Sequence, residues 1–229
     1  MQGKLIVFEG GEGGGKTTQI QRIYHWLQHH TRLCCDTVVI TREPGGTALG
    51  QGLRHLLLDV NTTEAIDDRA ELLLYAADRA QHVNRFVKPH LDKGTLILSD
   101  RFTDSTIAYQ GYGRGLDLNL IHQLNQIATT GLQSDLTLWF DIDVATGLAR
   151  TQKRGVSDTA DATQGDRIEQ TSLEFHQRVR RGFTQLAKDH PDRIVSIDAS
   201  LSADEVTQQI QQVLNQRLQA WGLLKNEPV

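Results

Sequence analysis

Short apolar runs alternate along the chain with longer stretches whose apolar residues recur at helical spacing. The runs are KLIVFEG (4–10), TVVITR (37–42), TLILSD (95–100), LTLWFDI (136–142) and RIVSID (193–198). Several are continuously apolar, the pattern of parallel strands covered on both faces. Between them the spacing predicts helices over about 16–30, 64–91, 118–130, 145–153, 168–188 and 203–220. The longest of these carries Leu72, Leu73, Ala76, Ala80, Val83 and Val87 as its apolar stripe. Asp166 followed by Glu169 predicts an N-cap, with the helix starting at Arg167. The alternation predicts an α/β fold: a five-stranded parallel sheet flanked by helices and wound by right-handed crossovers.

One stretch breaks the rhythm. GVSDTADATQGD (155–166) has almost no bulky apolar group and predicts an exposed, mobile loop. Basic residues flank it: Arg150, Lys153, Arg154 and Arg167. The chain reads as one domain over 1–229, with a lid at about 150–167 and a frayed tail at about 221–229.

Composition narrows the class. A chain of 229 residues with 38% hydrophobic content can bury a good core. No apolar run approaches the ~18 residues of a membrane span. MQGKLIVFEG has too short an apolar stretch for a signal peptide and reads as a strand. Adjacent Cys34 and Cys35 cannot frame a secreted disulfide domain, and a reducing cytoplasm fits them. A net charge of −4 argues against general nucleic-acid binding. Any anionic ligand must therefore be held by local clusters of cations.

Gly10, four residues, then Gly15-Lys16-Thr17 match the phosphate-binding pattern G-x-x-x-x-G-K-[ST]. Glycines let the backbone wrap a phosphate, successive N–H groups form an anion nest, and the following helix adds its positive end. Lys16 suits the β- and γ-phosphates, and Thr17 suits Mg²⁺. Asp100 closes an apolar strand, the expected place for a carboxylate near that metal. No guanine-reading N-K-x-D segment is present. Further cations, Arg42, Arg79, Arg101 and Arg114, lie near strand ends or in adjoining segments. Two phosphorylated ligands facing each other need that many, which points to phosphoryl transfer onto a phosphate.

FEGGEGGGKTTQ, TREPGGT, AADRAQHV, SDRFTDSTIAYQGYGRG and DRIE stand in the order and spacing of bacterial thymidylate kinases, and over about residues 3–200 the chain resembles that family. The resemblance implies a P-loop fold of the nucleoside-monophosphate-kinase type, a homodimer, and Mg²⁺-dependent transfer of the ATP γ-phosphoryl group to dTMP. By position it implies that Gly10, Gly11, Glu12, Gly13, Gly14, Gly15, Lys16, Thr17 and Thr18 surround the ATP phosphates, with Arg150 and Arg167 approaching ATP from the lid. Thr17 and Asp100 would serve Mg²⁺, in part through water. Arg42 and Arg101 would face the acceptor phosphate. Tyr75, where the family usually has phenylalanine, would stack on thymine and Arg79 would bond its edge. Ser105, Thr106 and Gln110 would read the base, and Tyr109 would press on the sugar's 2′ face. Glu12 would turn toward the sugar hydroxyl and metal-bound water.

Some members of the family carry a catalytic arginine in the P-loop, where this chain has Gly13; others carry it in the lid. Glycine supplies no charge, so the resemblance points to the lid, with Arg154 first and Arg150 second. Pro44 sits where the family turns sharply, with the isomer left open. Two other readings stand beside this one. A deoxynucleoside kinase would use Glu9 or Glu43 as general base toward a 5′-hydroxyl. A non-catalytic nucleotide-binding protein would keep the P-loop without turnover.

Overall fold

The computed structural model describes residues 2–30, 33–34, 37–59, 64–155, 167–168 and 171–225, with the backbone alone at 154 and 155. The five expected strands are present as β1 (Lys4–Glu9), β2 (Val38–Arg42), β3 (Leu96–Asp100), β4 (Leu136–Asp141) and β5 (Ile194–Asp198). They form one sheet, ordered β2-β3-β1-β4-β5, with every pairing parallel. Central β1 buries Leu5, Ile6, Val7 and Phe8 completely. Ile6 and Phe8 face one apolar layer, and Leu5 and Val7 face another. Coverage of both faces is why the run never alternates with polar residues.

The helices are α1 (Lys16–Gln28), α2 (Ala48–Leu58), α3 (Asp68–His82), α4 (Lys88–Asp92), α5 (Thr103–Thr106), α6 (Leu118–Thr129), α7 (Val144–Gly155), α8 (Leu173–Asp189) and α9 (Ala203–Ala220). α3 runs into α4 through π-helical turns at Val83–Val87, and α5 continues as a π-helical stretch over Ile107–Gly113. α1 and α9 cover one face of the sheet with Ile20, Ile23, Leu27, Ile210, Leu214 and Leu218. On the other face Val83, Val87 and Leu91 meet β1 and β3, while Phe175, Val179 and Phe183 of α8 meet Trp139 and Ile194.

Three sequence expectations change. α8 starts at Leu173, where Ser172 accepts a hydrogen bond from the Phe175 amide; Arg167 and Ile168 lie in a turn before it. Asp166, Glu169 and the polar loop 156–166 lie outside the described residues. The single helix expected over about 64–91 is divided into α3, the π-helical turns and α4, together spanning 68–92, and Leu73 is exposed while Leu72 is buried with Ile107, Tyr109 and Phe175. Two helical segments, α2 and 103–113, are absent from the sequence prediction, although Leu49, Leu53, Leu56 and Leu57 of α2 stand at helical spacing. In α2, Gly50 is required by a close approach: a Cβ there would stand 2.3 Å from Asp78 Oδ1 on α3.

Candidate active site

The parallel register brings the carboxyl ends of three strands together. Asp100 of β3 pairs with Phe8 of β1 on one side and Arg42 of β2 on the other. β1 then enters the glycine loop. Gly10, Gly13 and Gly15 have φ of 133°, 73° and 83°, and the last of these opens α1 at Lys16. This left-handed geometry is the reason for glycine at these positions. Lys16 Nζ donates to the carbonyls of Gly10 (2.9 Å) and Gly11 (2.8 Å), folding the ammonium over the loop. Burial lowers its pKa and Arg101 adds to that, while Glu12, Asp100 and Glu9 oppose both.

Gly13 has a second constraint. A Cβ built on it would lie 2.0 Å from the carbonyl oxygen of Gly147, and one built on Gly147 would lie 2.5 Å from the Glu12 carbonyl oxygen. Two glycines thus let the first turns of α7 rest directly on the P-loop backbone. No side chain fits at position 13, so an arginine there is excluded by space as well as by sequence.

Glu12 leaves the loop in the other direction. Its Oε1 accepts from Arg101 Nη2 at 2.6 Å and from the Tyr109 hydroxyl at 3.2 Å. Burial alone would raise its pKa, yet Arg101 and Lys16 hold the carboxyl at about 2. Arg101 itself adopts φ 70°, an uncommon region for a residue with a Cβ. Its Nη1 also donates to Gly10 O (3.2 Å) and Ser105 Oγ (3.3 Å), and its guanidinium lies 4.9 Å from the Tyr109 ring centre. Burial disfavours the charge on Arg101, but Tyr109, Glu12, Asp100 and Glu9 together keep it firmly protonated.

Asp100 is the candidate metal neighbour. Its Oδ1 is buried and has no hydrogen-bond partner among the described residues, a cost of roughly 1–3 kcal/mol unless a ligand fills the gap. Thr17 is exposed at the start of α1. Among the described residues no three His, Cys, Asp or Glu side chains cluster to cage a metal. That suits Mg²⁺, which keeps its waters and takes only one or two protein oxygens alongside phosphates.

The other expected site residues divide into two groups. Arg42 is exposed at the end of β2 with no acid paired to it among the described residues. Tyr75 is half-buried on α3, one turn before Arg79, and Ser105, Thr106, Tyr109 and Gln110 line the segment after Arg101. Arg79, in contrast, is 2% exposed and largely committed. Its Nε donates to Glu43 (2.8 Å), its Nη1 to Thr106 and Asn125 (both 2.8 Å), and its Nη2 to Phe102 O (3.0 Å). Four of its five N–H groups therefore serve the protein. Arg114 pairs with Glu71 and Asp68 at 3.3 Å. Arg167 donates to Glu71 of α3 and to Leu57 O of α2. Arg150 bonds the carbonyls of Ala199 (2.7 Å) and Ser200 (3.1 Å) beyond β5. The Arg154 side chain lies outside the described residues.

Three acids organise these cations; sequence reasoning named Glu9 and Glu43 only as a candidate general base or ion-pair partner and missed Glu71. Glu43 is buried and receives both Arg79 and the His82 ring, whose Nε2 lies 2.6 Å from Thr41 Oγ1. Glu71, fully buried, gathers Gln110, Arg114 and Arg167. Glu9, also fully buried, binds the turn after Arg101, and burial raises its pKa to about 7 against the pull of Arg101. The available signal was weak: Glu9 and Glu71 are acids flanked by apolar or small residues, in VFEGG and AELLL, and Glu43 stands between Arg42 and Pro44 in TREPG. The Glu43–Pro44 peptide is cis.

This geometry has close counterparts. The family model for thymidylate kinase matches residues 8–210. A thymidylate kinase of Acaryochloris marina (strain MBIC 11017) is 57% identical, covering 96% of this chain and 99% of its own. That of Cyanothece sp. (strain PCC 7425 / ATCC 29141) is 54% identical, covering 96% and 97%. The crystal structure of thymidylate kinase from Ehrlichia chaffeensis superposes with a TM-score of 0.72 at 34% identity, covering 93% of this chain and 99% of that one. Matched over most of its length by the family model and at more than half identity by these relatives, the chain belongs to the thymidylate kinase family.

Proposed function

We propose that the protein transfers the γ-phosphoryl group of ATP to the phosphate of dTMP, giving dTDP and ADP. The observation that carries this reading is the carboxyl edge of the sheet. There Arg42, which pairs with no acid among the described residues, and the Arg101–Glu12 pair lie at strand ends beside an intact P-loop. Two anions must be brought together, and cations are placed on both sides of the junction.

The chain's own residues divide the work. The P-loop amides and Lys16 hold the donor phosphates, with Lys16 released from the Gly10 and Gly11 carbonyls when phosphate oxygens replace them. Arg42 and Arg101 hold the acceptor phosphate by charge-assisted bonds. Glu12, ionised at neutral pH, accepts from the sugar hydroxyl while restraining Arg101. Tyr75 stacks on the base, and the one uncommitted Nη2 hydrogen of Arg79 reaches its edge. Tyr109, held by Glu12 and Arg101, occupies the 2′ face. Thr17, and Asp100 directly or through water, would hold Mg²⁺, which would supply charge neutralisation at the phosphates. The lid excludes water, with Arg154 as its catalytic arginine and Arg150 as the alternative.

The deoxynucleoside-kinase reading needs a free carboxylate, and neither candidate is free. Glu43 is paired with Arg79 and His82, and Glu9 is bonded through both oxygens. Supplying dTMP and thymidine side by side with ATP and following ADP release tests the reading. Release that depends on dTMP is expected; release with thymidine alone, or with neither, overturns it.

The protein is also read as a cytoplasmic homodimer that binds neither membrane nor nucleic acid. Leu56 of α2, Leu73 of α3, and Leu120 and Ile127 of α6 are exposed by 54%, 56%, 40% and 72% on helices that pack side by side. A second copy covering that face is the simplest occupant.

A further inference from the structure

We infer that Glu9 is a positioning residue that holds Arg101 at the acceptor phosphate, by capping from the sheet the helix that follows it. α5 opens without a side-chain cap of its own, its N-cap residue being Phe102. The first amides of a helix lack partners within it, and here they are buried. Glu9, at the end of β1, supplies the acceptor: its Oε1 receives the Phe102 amide at 2.8 Å and the Ser105 amide at 3.1 Å. Its Oε2 receives the Ser105 hydroxyl at 2.5 Å. Ser105 Oγ in turn accepts from Arg101 Nη1 at 3.3 Å. A single carboxylate, wholly removed from solvent, thus fixes both the backbone that follows Arg101 and the side chain beside its guanidinium.

Arg101 needs such restraint. Its φ of 70° is not a conformation that an arginine keeps unaided. The strand side holds it through its own amide on Phe8 O (3.0 Å) and through Ser99 Oγ, which donates to Arg101 O (2.9 Å). The helix side holds it through Glu9. Three buried contacts fasten the same short helix elsewhere: Arg79 on Phe102 O and on Thr106 Oγ1, and the Asp104–Arg193 pair at 2.6 Å. Of all these groups only Glu9 reaches both the turn and, through Ser105, the guanidinium. Its negative charge also lies within the field of Arg101 and Lys16.

The inference rests on Arg101 serving the acceptor phosphate, and the test separates the two claims. Glu9→Gln keeps the volume and the carbonyl that receives the two amides. It removes the charge and turns an N–H toward Ser105 Oγ. Steady-state kinetics with dTMP varied at saturating ATP, together with an ATP-binding titration, would be run on Glu9→Gln, Arg101→Ala and the double variant. Glu9→Gln is expected to lower kcat/KM for dTMP at least tenfold while the ATP dissociation constant stays within threefold. On the Arg101→Ala background the same change is expected to cost less than threefold, because it acts through a side chain already gone. Additive losses, or a loss matched by equal weakening of ATP, overturn the Glu9 inference alone. Unchanged dTMP kinetics in Arg101→Ala overturn the site reading beneath it. Should Glu9→Gln fail to fold, Ser105→Ala breaks the same link and takes its place in the cycle, with additivity again the overturning result.

Discussion

Gly13→Ala is a one-carbon change whose consequence can be worked from the coordinates. The added Cβ would lie 2.0 Å from Gly147 O, 2.6 Å from its carbonyl carbon and 2.7 Å from its Cα. All three are backbone atoms, so no side chain can swing aside. Reaching ordinary van der Waals contact requires α7 and the P-loop to separate by about 1.4 Å. The left-handed φ of 73° adds roughly 1–2 kcal/mol for any residue with a Cβ. At a few degrees per kcal/mol for a chain of this size, the melting temperature is expected to fall by about 3–6 °C. The larger effect is expected on chemistry, because α7, which bears the proposed lid arginines Arg150 and Arg154, rests on the P-loop backbone. A displacement of that size can lower the rate by about 100-fold. A coupled assay of dTMP-dependent ADP release, run well below the melting temperature of both proteins, reads kcat. The expected result is a fall of tenfold or more in Gly13→Ala. The same reasoning predicts that Gly13→Arg does not rescue the loss of a lid arginine. A Gly13→Ala protein with kcat within threefold of the parent and an unchanged melting temperature would refute the claim that α7 is seated on the P-loop by this glycine pair.

Other expectations follow from the same geometry. Arg154→Ala should lower kcat at least tenfold with little change in dTMP affinity, and near-normal turnover would return the role to Arg150. Glu12→Gln should impair dTMP use more than ATP binding, since Glu12 faces Arg101 and Tyr109 and not the P-loop amides; equal dTMP kinetics would sink that role. Ile127→Asp places a charge on the exposed α3–α6 face, and sedimentation should then report monomer at concentrations where the parent is expected to sediment as a dimer; a parent that sediments as a monomer would overturn the dimer reading. For Glu9, the folded pKa of about 7 lies above the ordinary 4.5, so the native state holds the proton more tightly than the unfolded chain. Its contribution is therefore present at acid pH and lost as pH rises between these values, by up to roughly 3 kcal/mol. Urea unfolding at pH 5 and pH 8 should show Glu9→Gln losing less stability than the parent over that interval.

The layout of the fold was legible because it depends on local pattern. Several continuously apolar runs read as strands buried on both faces, as β1, β3 and β4 are, and the glycine spacing of residues 10–17 reads as a loop wrapping an anion. α2 escaped notice because Gly50 and Gly52 break up a stretch whose leucines do stand at helical spacing behind a Thr47 cap, and the 103–113 helix because its cap comes from outside. Gly50 is needed where α2 crosses Asp78, and the helix after Arg101 takes its cap from Glu9, about ninety residues earlier in sequence. The start of α8 was misplaced because the Asp166–Glu169 spacing imitates a capping box, while Ser172 holds the Phe175 amide in fact.

The same division runs through the site. The sequence by itself determined which residue types stand at the carboxyl edge of the sheet: Lys16 and Thr17 after the glycines, Asp100 and Arg101 ending β3, Arg42 ending β2. Strand polarity and motif spacing are one-dimensional facts, and they suffice for that. Only the tertiary structure decided which cations are available to a ligand. Arg79, Arg114 and Arg167 read as free positive charge along the chain, yet each is drawn onto a buried acid from another element, Glu43 or Glu71. An ion pair joins groups that may be a hundred residues apart, and a buried carboxylate must take a partner wherever the fold brings one. The charge left over at the P-loop edge is set by that three-dimensional pairing, which no window of sequence contains.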